Sequence, residues 1–188
     1  ENYKPYRAIK ADHIEYLRVS RNDAIRARAT NYQESHDVKD ILSTIRNMPS
    51  NTLLEKRNKA MLSLFLLTTP RVAALQTARI GSIRYFKEYG IWAFVQNPKT
   101  HKTKFARNIT SFFIGSSQDI IDNILEWVEY LAEQGFKKND YLFPRTLNPF
   151  QSDSSQKIEL TQNCIKSADT IHNIVRKALY ANNLEYIK

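Results

Sequence analysis

The sequence predicts an α+β domain, mainly α-helical, with a small three-stranded antiparallel sheet. Apolar residues recur every three or four positions over residues 35–79 and again from residue 117 onward, which is the spacing of one buried helix face. Between these regions, residues 81–112 alternate apolar and polar side chains and contain turn residues, as in strands joined by hairpins. Helices on either side of a short antiparallel sheet are typical of the α+β class.

Three helices are predicted in the first part. Ser35 is placed as the N-cap of the first helix, which Met48 and the proline after it end. The second helix begins at a capping box formed by Thr52 and Glu55 and continues through KRNKAMLSLFLL. Pro70 either ends or kinks this helix or begins the next one at its first turn, and RVAALQTA is a short third helix.

The strands and the remaining helices follow. GSIRYF, IWAFVQ and KFARNITSF predict three strands, with a tight turn after the first and a longer one after the second. Ser117 then begins a helix that Gly135 ends. DYLFPRT is predicted to be short and extended, residues 147–163 to be a polar surface loop, and Ser167 to begin the last helix.

The composition favours a globular protein with a polyanionic partner. Lys and Arg number 28 against 19 Asp and Glu, a net charge of +9, and such an excess favours nucleic acid first. Cys164 is the single cysteine and the four histidines are scattered, so we expect neither a disulfide nor a metal centre. No apolar run is long enough to span a bilayer, and the cysteine usage fits a reducing cytoplasm.

Residues 1–31 are predicted to be a basic arm in front of a domain that covers residues 32–188. Seven Lys and Arg side chains are spread along the arm. Such a segment is either a solvated tail or a linker that lies along a phosphate backbone.

Arg71 lies between two strongly apolar segments, MLSLFL before it and VAAL after it. Burying a guanidinium is costly unless a carboxylate or a phosphate pairs with it. In one interpretation Glu55 or Glu88 forms a structural ion pair with it. In the other, Arg71 sits at the start of the next helix, where backbone N–H groups point outward, and helps to bind an external anion.

A second basic cluster lies in NPKTHKTKFAR, at the tip and second arm of the predicted hairpin. Its basic residues are Lys99, His101, Lys102, Lys104 and Arg107. Lysines of this kind commonly protect an edge strand from pairing with another chain. The other interpretation is a loop inserted into a phosphate-lined groove, where one lysine donates a proton.

Taken together and in this order, LLEKRNKAMLSLFLLTTPRVAALQTARIGSI, the Lys-Thr hairpin and DYLFPRT resemble the catalytic domain of the tyrosine recombinases, the family of the phage integrases. In that family a leucine-rich helix ends in a Thr-Gly-x-Arg-like turn, and the next helix carries Arg and then Leu. The resemblance covers residues 32–188. It implies a site-specific recombinase of a mobile element that cuts and rejoins double-stranded DNA through a 3′-phosphotyrosine intermediate, without a metal or nucleotide cofactor.

The resemblance also assigns roles to single residues. Arg71 would be the first catalytic arginine, whose fork holds the non-bridging oxygens of the scissile phosphate. Lys99 would be the general acid that protonates the departing 5′ oxygen. The residues implied to contact DNA are Arg79, His101, Lys102, Lys104 and Arg107. Further expectations are self-association on DNA as a synaptic tetramer, a core-binding domain upstream of residues 1–31, and a bacterial, nucleoid-associated location.

Three features depart from the family pattern. Pro70 stands where the family favours a small flexible residue, and Ala74 stands where it usually has an orienting acid. No histidine is followed three residues later by an arginine, and Tyr180 and Tyr186 come too early to be the nucleophile. We therefore expect a C-terminally truncated catalytic domain that is inactive on its own.

Two other functions stay open from the sequence. One is a non-catalytic, sequence-specific DNA-binding module in which Arg71 is structural, and the other is a basic helical protein–protein module. A steep loss of binding with salt separates both DNA-binding functions from the protein–protein function. The gene sequence after Lys188 separates the two DNA-binding functions, because the enzyme needs His-x-x-Arg and a later tyrosine.

Overall fold

The computed structural model describes residues 36–96, 109–113, 117–147 and 159–184. The helices of this part are α1 (Val38–Asn47), α2 (Leu53–Thr68), α3 (Val72–Thr77), α4 (Gln118–Glu133) and α5 (Ala168–Tyr180). Its strands are β1 (Ile83–Phe86), β2 (Ile91–Gln96), β3 (Ile109–Phe112), β4 (Pro144–Thr146) and β5 (Leu160–Cys164). The predicted α+β class is confirmed, whereas the arm predicted over residues 1–31 lies outside the described residues.

The three-stranded sheet is antiparallel with the order β1-β2-β3, as the sequence predicts. Ile83 pairs with Phe94 at one end of the β1–β2 ladder, and Gln96 pairs with Ile109 in the β2–β3 ladder. Ile83, Phe94 and Phe113 are buried in the main core cluster. One face of the sheet therefore covers the helical core.

A second, two-stranded sheet corrects the expectation of a surface loop over residues 147–163. Within that range β5 forms and pairs antiparallel with β4, while residues 148–158 lie outside the described part. The Thr161 hydroxyl donates a hydrogen bond to the carbonyl of Arg145 at 2.9 Å. The sequence LTQNC of β5 has no apolar alternation because its side chains are half-buried or exposed, so pattern reasoning did not detect it.

The core is centred on the packing of α2 against α4. Trp127 of α4 is almost fully buried, its ring stacks on Tyr130 with 5.5 Å between centroids, and its indole N–H donates to the Leu142 carbonyl at 2.7 Å. That hydrogen bond satisfies a buried polar group and fixes the segment before β4 against the helix. No helix among the described residues is long and apolar enough to cross a membrane.

Side chains at the helix starts fix the first two helices. Thr52 and Glu55 form the predicted capping box of α2. The Glu55 carboxylate accepts the backbone N–H of Thr52 at 2.9 Å, which lowers the pKa of Glu55 below its ordinary value. The N-cap of α1 is Asp37, whose carboxylate accepts the Lys39 N–H at 3.2 Å. The placement of this cap at Ser35 is therefore wrong by two residues, because both residue types are good N-caps.

The C-terminus of α4 confirms the predicted stop at Gly135. This glycine has a left-handed backbone with φ 83°, and its N–H donates to the Ala132 carbonyl at 3.0 Å. The next N–H, of Phe136, donates to the Leu131 carbonyl at 3.0 Å. These two bonds make a Schellman motif, which returns the chain to the core at Phe136.

Candidate functional site

The junction between α2 and α3 determines where Arg71 lies. After α2 ends, Thr69 adopts a left-handed conformation with φ 40° and ψ 48°, and its N–H donates to the Phe65 carbonyl at 2.8 Å. Pro70 is buried, and Arg71 is the N-cap of α3 with an extended backbone. Of the two roles predicted for Pro70, the end of α2 is confirmed. The start of α3 is wrong, since that helix begins two residues later at Val72.

Arg71 is exposed, so its guanidinium is not buried between the two apolar segments that flank it in the sequence. The residues of α3 that enter the core are Ala74 and Leu75. Within the described part of the chain, neither Glu55 nor Glu88 forms an ion pair with Arg71. The guanidinium therefore faces solvent at a junction between two helices, which suits an external anion better than a structural carboxylate.

The position of α3 is fixed from its other side. The Gln76 side-chain amide donates to the carbonyls of Lys166 at 2.6 Å and Ile165 at 3.1 Å, which ties α3 to the segment before α5. Because α3 has only six residues, less than two helical turns, its dipole contributes little. Anion binding at this junction would therefore rest on the Arg71 guanidinium, and not on the outward N–H groups that the sequence suggested.

Arg79 is not brought together with Arg71. The two residues flank opposite ends of α3, and six helical residues span about 9 Å. The Arg79 guanidinium lies 3.7 Å from the centroid of the Tyr141 ring and donates to the Asn139 carbonyl at 3.0 Å. Arg79 thus belongs to a separate basic region.

The remaining predicted site residues fall in the β2–β3 connection. Lys99, His101, Lys102, Lys104 and Arg107 lie outside the described residues. The strands on either side are paired up to Gln96 and Ile109, so the connection leaves and re-enters the sheet at neighbouring positions. Antiparallel pairing of these two strands is what the predicted hairpin requires.

Ala74 and Tyr180 bear on the departures from the family pattern. Ala74, at the position of the usual orienting acid, is 2% exposed and part of the core. Tyr180 is the last residue of α5 and is exposed. Tyr186 lies outside the described residues.

Arg57 is a buried cation that the sequence reasoning did not identify. It lies on α2, is 6% exposed, and donates from Nη1 to the Pro144 carbonyl at 3.1 Å. Its Nε and Nη2 donate to the Asn58 side chain at 3.3 and 3.1 Å. Burial lowers the pKa of Arg57 to about 10, so it stays charged at neutral pH. Helical spacing could have predicted this burial, because Arg57 lies four residues after Leu53 and four before Met61 and so shares their face of α2.

Comparisons with known proteins support the fold. No protein-family model and no curated protein sequence matches the chain. Among solved structures, the chain is similar to the XerH site-specific recombinase in a pre-cleavage complex with its difH substrate, with a TM-score of 0.57 and 13% identity. The match covers 83% of this chain and 38% of that chain, so this chain spans well under half of that recombinase. The fold is therefore like that of part of the XerH recombinase.

Proposed function

We propose that this chain is part of the catalytic domain of a site-specific DNA recombinase of the tyrosine type, and that Arg71 binds the scissile phosphate. One observation carries the proposal. In a fold similar to that of XerH, Arg71 is exposed at the α2–α3 junction and forms no ion pair among the described residues. A net charge of +9 adds long-range attraction for DNA.

The proposed chemistry assigns one task to each of two cations. The planar Arg71 fork donates to the two non-bridging oxygens of the phosphate and stabilises the charge that grows on them in the pentavalent transition state. Lys99, from the β2–β3 connection, gives its proton to the departing 5′ oxygen. The attacking hydroxyl would come from a tyrosine later than Tyr180 and Tyr186, so the chain by itself should form no covalent adduct with DNA.

Substitution of Arg71 in the full-length protein tests the proposal. Arg71→Ala should lower the cleavage rate on the recombination site about 10³-fold, the typical cost of losing an oxyanion-stabilising donor, while DNA affinity changes only slightly. Arg71→Lys keeps the charge and loses the fork, so it should stay strongly impaired. Arg145→Ala removes the same charge from an exposed position on β4 and should cleave normally.

Three results would contradict the proposal. Recombination by Arg71→Ala at the wild-type rate would remove Arg71 from the chemistry. An equal loss of DNA binding and of cleavage would assign Arg71 to DNA anchoring, as in a non-catalytic DNA-binding module. A covalent adduct formed by this chain alone would show that its own tyrosines suffice.

A further inference from the structure

A basic cleft lies beyond the C-terminal end of α3, away from Arg71. It has a volume of about 660 Å³, and the charged side chains that line it are Arg79, Arg84 and Lys138. All three are exposed, no carboxylate lines the cleft, and none of the three forms an ion pair among the described residues. We call this group the arginine cleft.

The two guanidinium groups of the arginine cleft are held in place by neutral acceptors. Arg79 stacks on Tyr141 and donates to the Asn139 carbonyl at 3.0 Å. Arg84 donates from Nε to the Gly81 carbonyl at 3.2 Å. Each contact orients a fork without neutralising its charge, and each leaves further N–H groups for a ligand.

The walls of the arginine cleft are fastened to each other by backbone contacts. The Gly81 N–H donates to the Lys138 carbonyl at 2.8 Å, and the Ile80 N–H donates to the Asp140 carbonyl at 3.0 Å. A Cβ atom added to Gly81 would lie 3.1 Å from the Lys138 carbonyl oxygen, so glycine permits this close approach. A preformed site loses little conformational freedom when a ligand binds.

We infer that the arginine cleft binds a phosphate of the DNA backbone, separate from the phosphate assigned to Arg71. Guanidinium forks match the oxygens of a phosphate. Because the three cations are exposed, the cleft suits a backbone phosphate that stays partly hydrated better than a small molecule that must be enclosed. The inference rests on the proposed function, since it takes DNA as the partner.

The salt dependence of DNA binding tests this inference. The logarithm of the affinity falls with the logarithm of salt concentration with a slope of about 0.9 per neutralised phosphate. The variant Arg84→Gln/Lys138→Gln, with short duplex DNA of mixed sequence as the probe, should therefore lower the slope by about one. The matched control Lys39→Gln/Lys56→Gln removes two charges from exposed positions on α1 and α2 and should keep the wild-type slope.

Each other outcome has a defined meaning. A wild-type slope in the cleft variant, with salt-dependent binding intact, would overturn the inference and leave the proposed function standing. An equal decrease of the salt slope in both double variants would show that the change follows from net charge alone, and would also overturn the inference. Absence of DNA binding by the wild-type protein would overturn both proposals.

Tight binding of a poly-glutamate peptide that the cleft variant loses, with an unchanged DNA slope, would assign the cleft to an acidic protein segment. Equal melting temperatures would show that the variants are folded.

Discussion

Replacing Thr69 by glycine is expected to stabilise the protein, although the substitution removes a side chain. Thr69 has φ 40°, a left-handed conformation in which a Cβ atom meets the neighbouring carbonyl oxygen. For a β-branched residue this is a strained position. Glycine adopts it without that contact.

The size of the effect follows from two opposing contributions. The left-handed conformation costs an L-residue about 1–2 kcal/mol, whereas glycine adds freedom to the unfolded chain worth about 0.5–1 kcal/mol. The Thr69 side chain is exposed, so its loss removes little buried area. The N–H donation to Phe65 does not depend on the side chain. The net gain should be about 0.5–1 kcal/mol, or a rise in Tm of roughly 1–4 °C.

Thermal and urea unfolding of three variants measure this gain. Thr69→Ala keeps the Cβ atom and should gain less than Thr69→Gly. Thr170→Gly makes the same replacement at an exposed position inside α5, where the helical backbone favours threonine by a few tenths of a kcal/mol, so it should lower stability. An unchanged urea m-value would place the effect in the stability difference and not in the compactness of either state.

The reasoning fails if Thr69→Gly melts at or below the wild-type temperature. It also fails if Thr69→Ala gains as much as Thr69→Gly, because removal of the branched side chain, and not relief of the left-handed strain, would then be the cause.

Four further predictions concern single residues. Lys99→Ala in the full-length protein should slow cleavage, and a 5′-bridging sulfur in the substrate should restore the rate, because a thiolate leaves without a general acid; no rescue would limit Lys99 to a phosphate contact. Arg57→Ala should destabilise by about 3 kcal/mol through lost packing and an unpaired Pro144 carbonyl, whereas Arg57→Met, which leaves the same carbonyl unpaired but keeps most of the packing, should cost less, about 1–2 kcal/mol in urea unfolding. Gly135→Ala should cost about 1 kcal/mol for its left-handed φ, since a Cβ atom there meets no other group within 4 Å; an unchanged Tm would contradict this. The Arg46 side chain lies 2.7 Å from Asp119 and lowers its pKa, so the Tm deficit of Asp119→Asn should be full at pH 7, begin to shrink as pH falls below about 3.9, the ordinary aspartate value, and vanish only at lower pH, where the folded wild-type carboxylate is also neutral.

Helices with strong local signals were predictable from the sequence. The capping box at Thr52 and the glycine at Gly135 use interactions between residues close in the chain, so the sequence contains all the partners. The antiparallel sheet was predictable for a similar reason, because its strands are consecutive and alternate in polarity. The strand Leu160–Cys164 was missed because its side chains carry no alternation of polarity, although it pairs with the strand directly before it in the chain.

The environment of Arg57 and of Arg71 does not follow from the polarity of their neighbours in the sequence. Arg71 has apolar neighbours in sequence but is exposed, whereas Ala74 and Leu75 are the residues of α3 that enter the core. Arg57 has polar neighbours in sequence but is buried, because it shares a helix face with Met61. For both arginines the polarity of the adjacent residues is a poor guide to burial, because the direction of the side chain decides it.

The pairing of Gln96 with Ile109 has a practical consequence. The described ladder sets the register of β2 and β3 through the pairs from Ala93–Phe112 to Gln96–Ile109, so substitutions confined to residues 97–108 are expected to leave that register unchanged. Variants of Lys99 and its basic neighbours can therefore test DNA cleavage and DNA binding separately from the stability of the sheet.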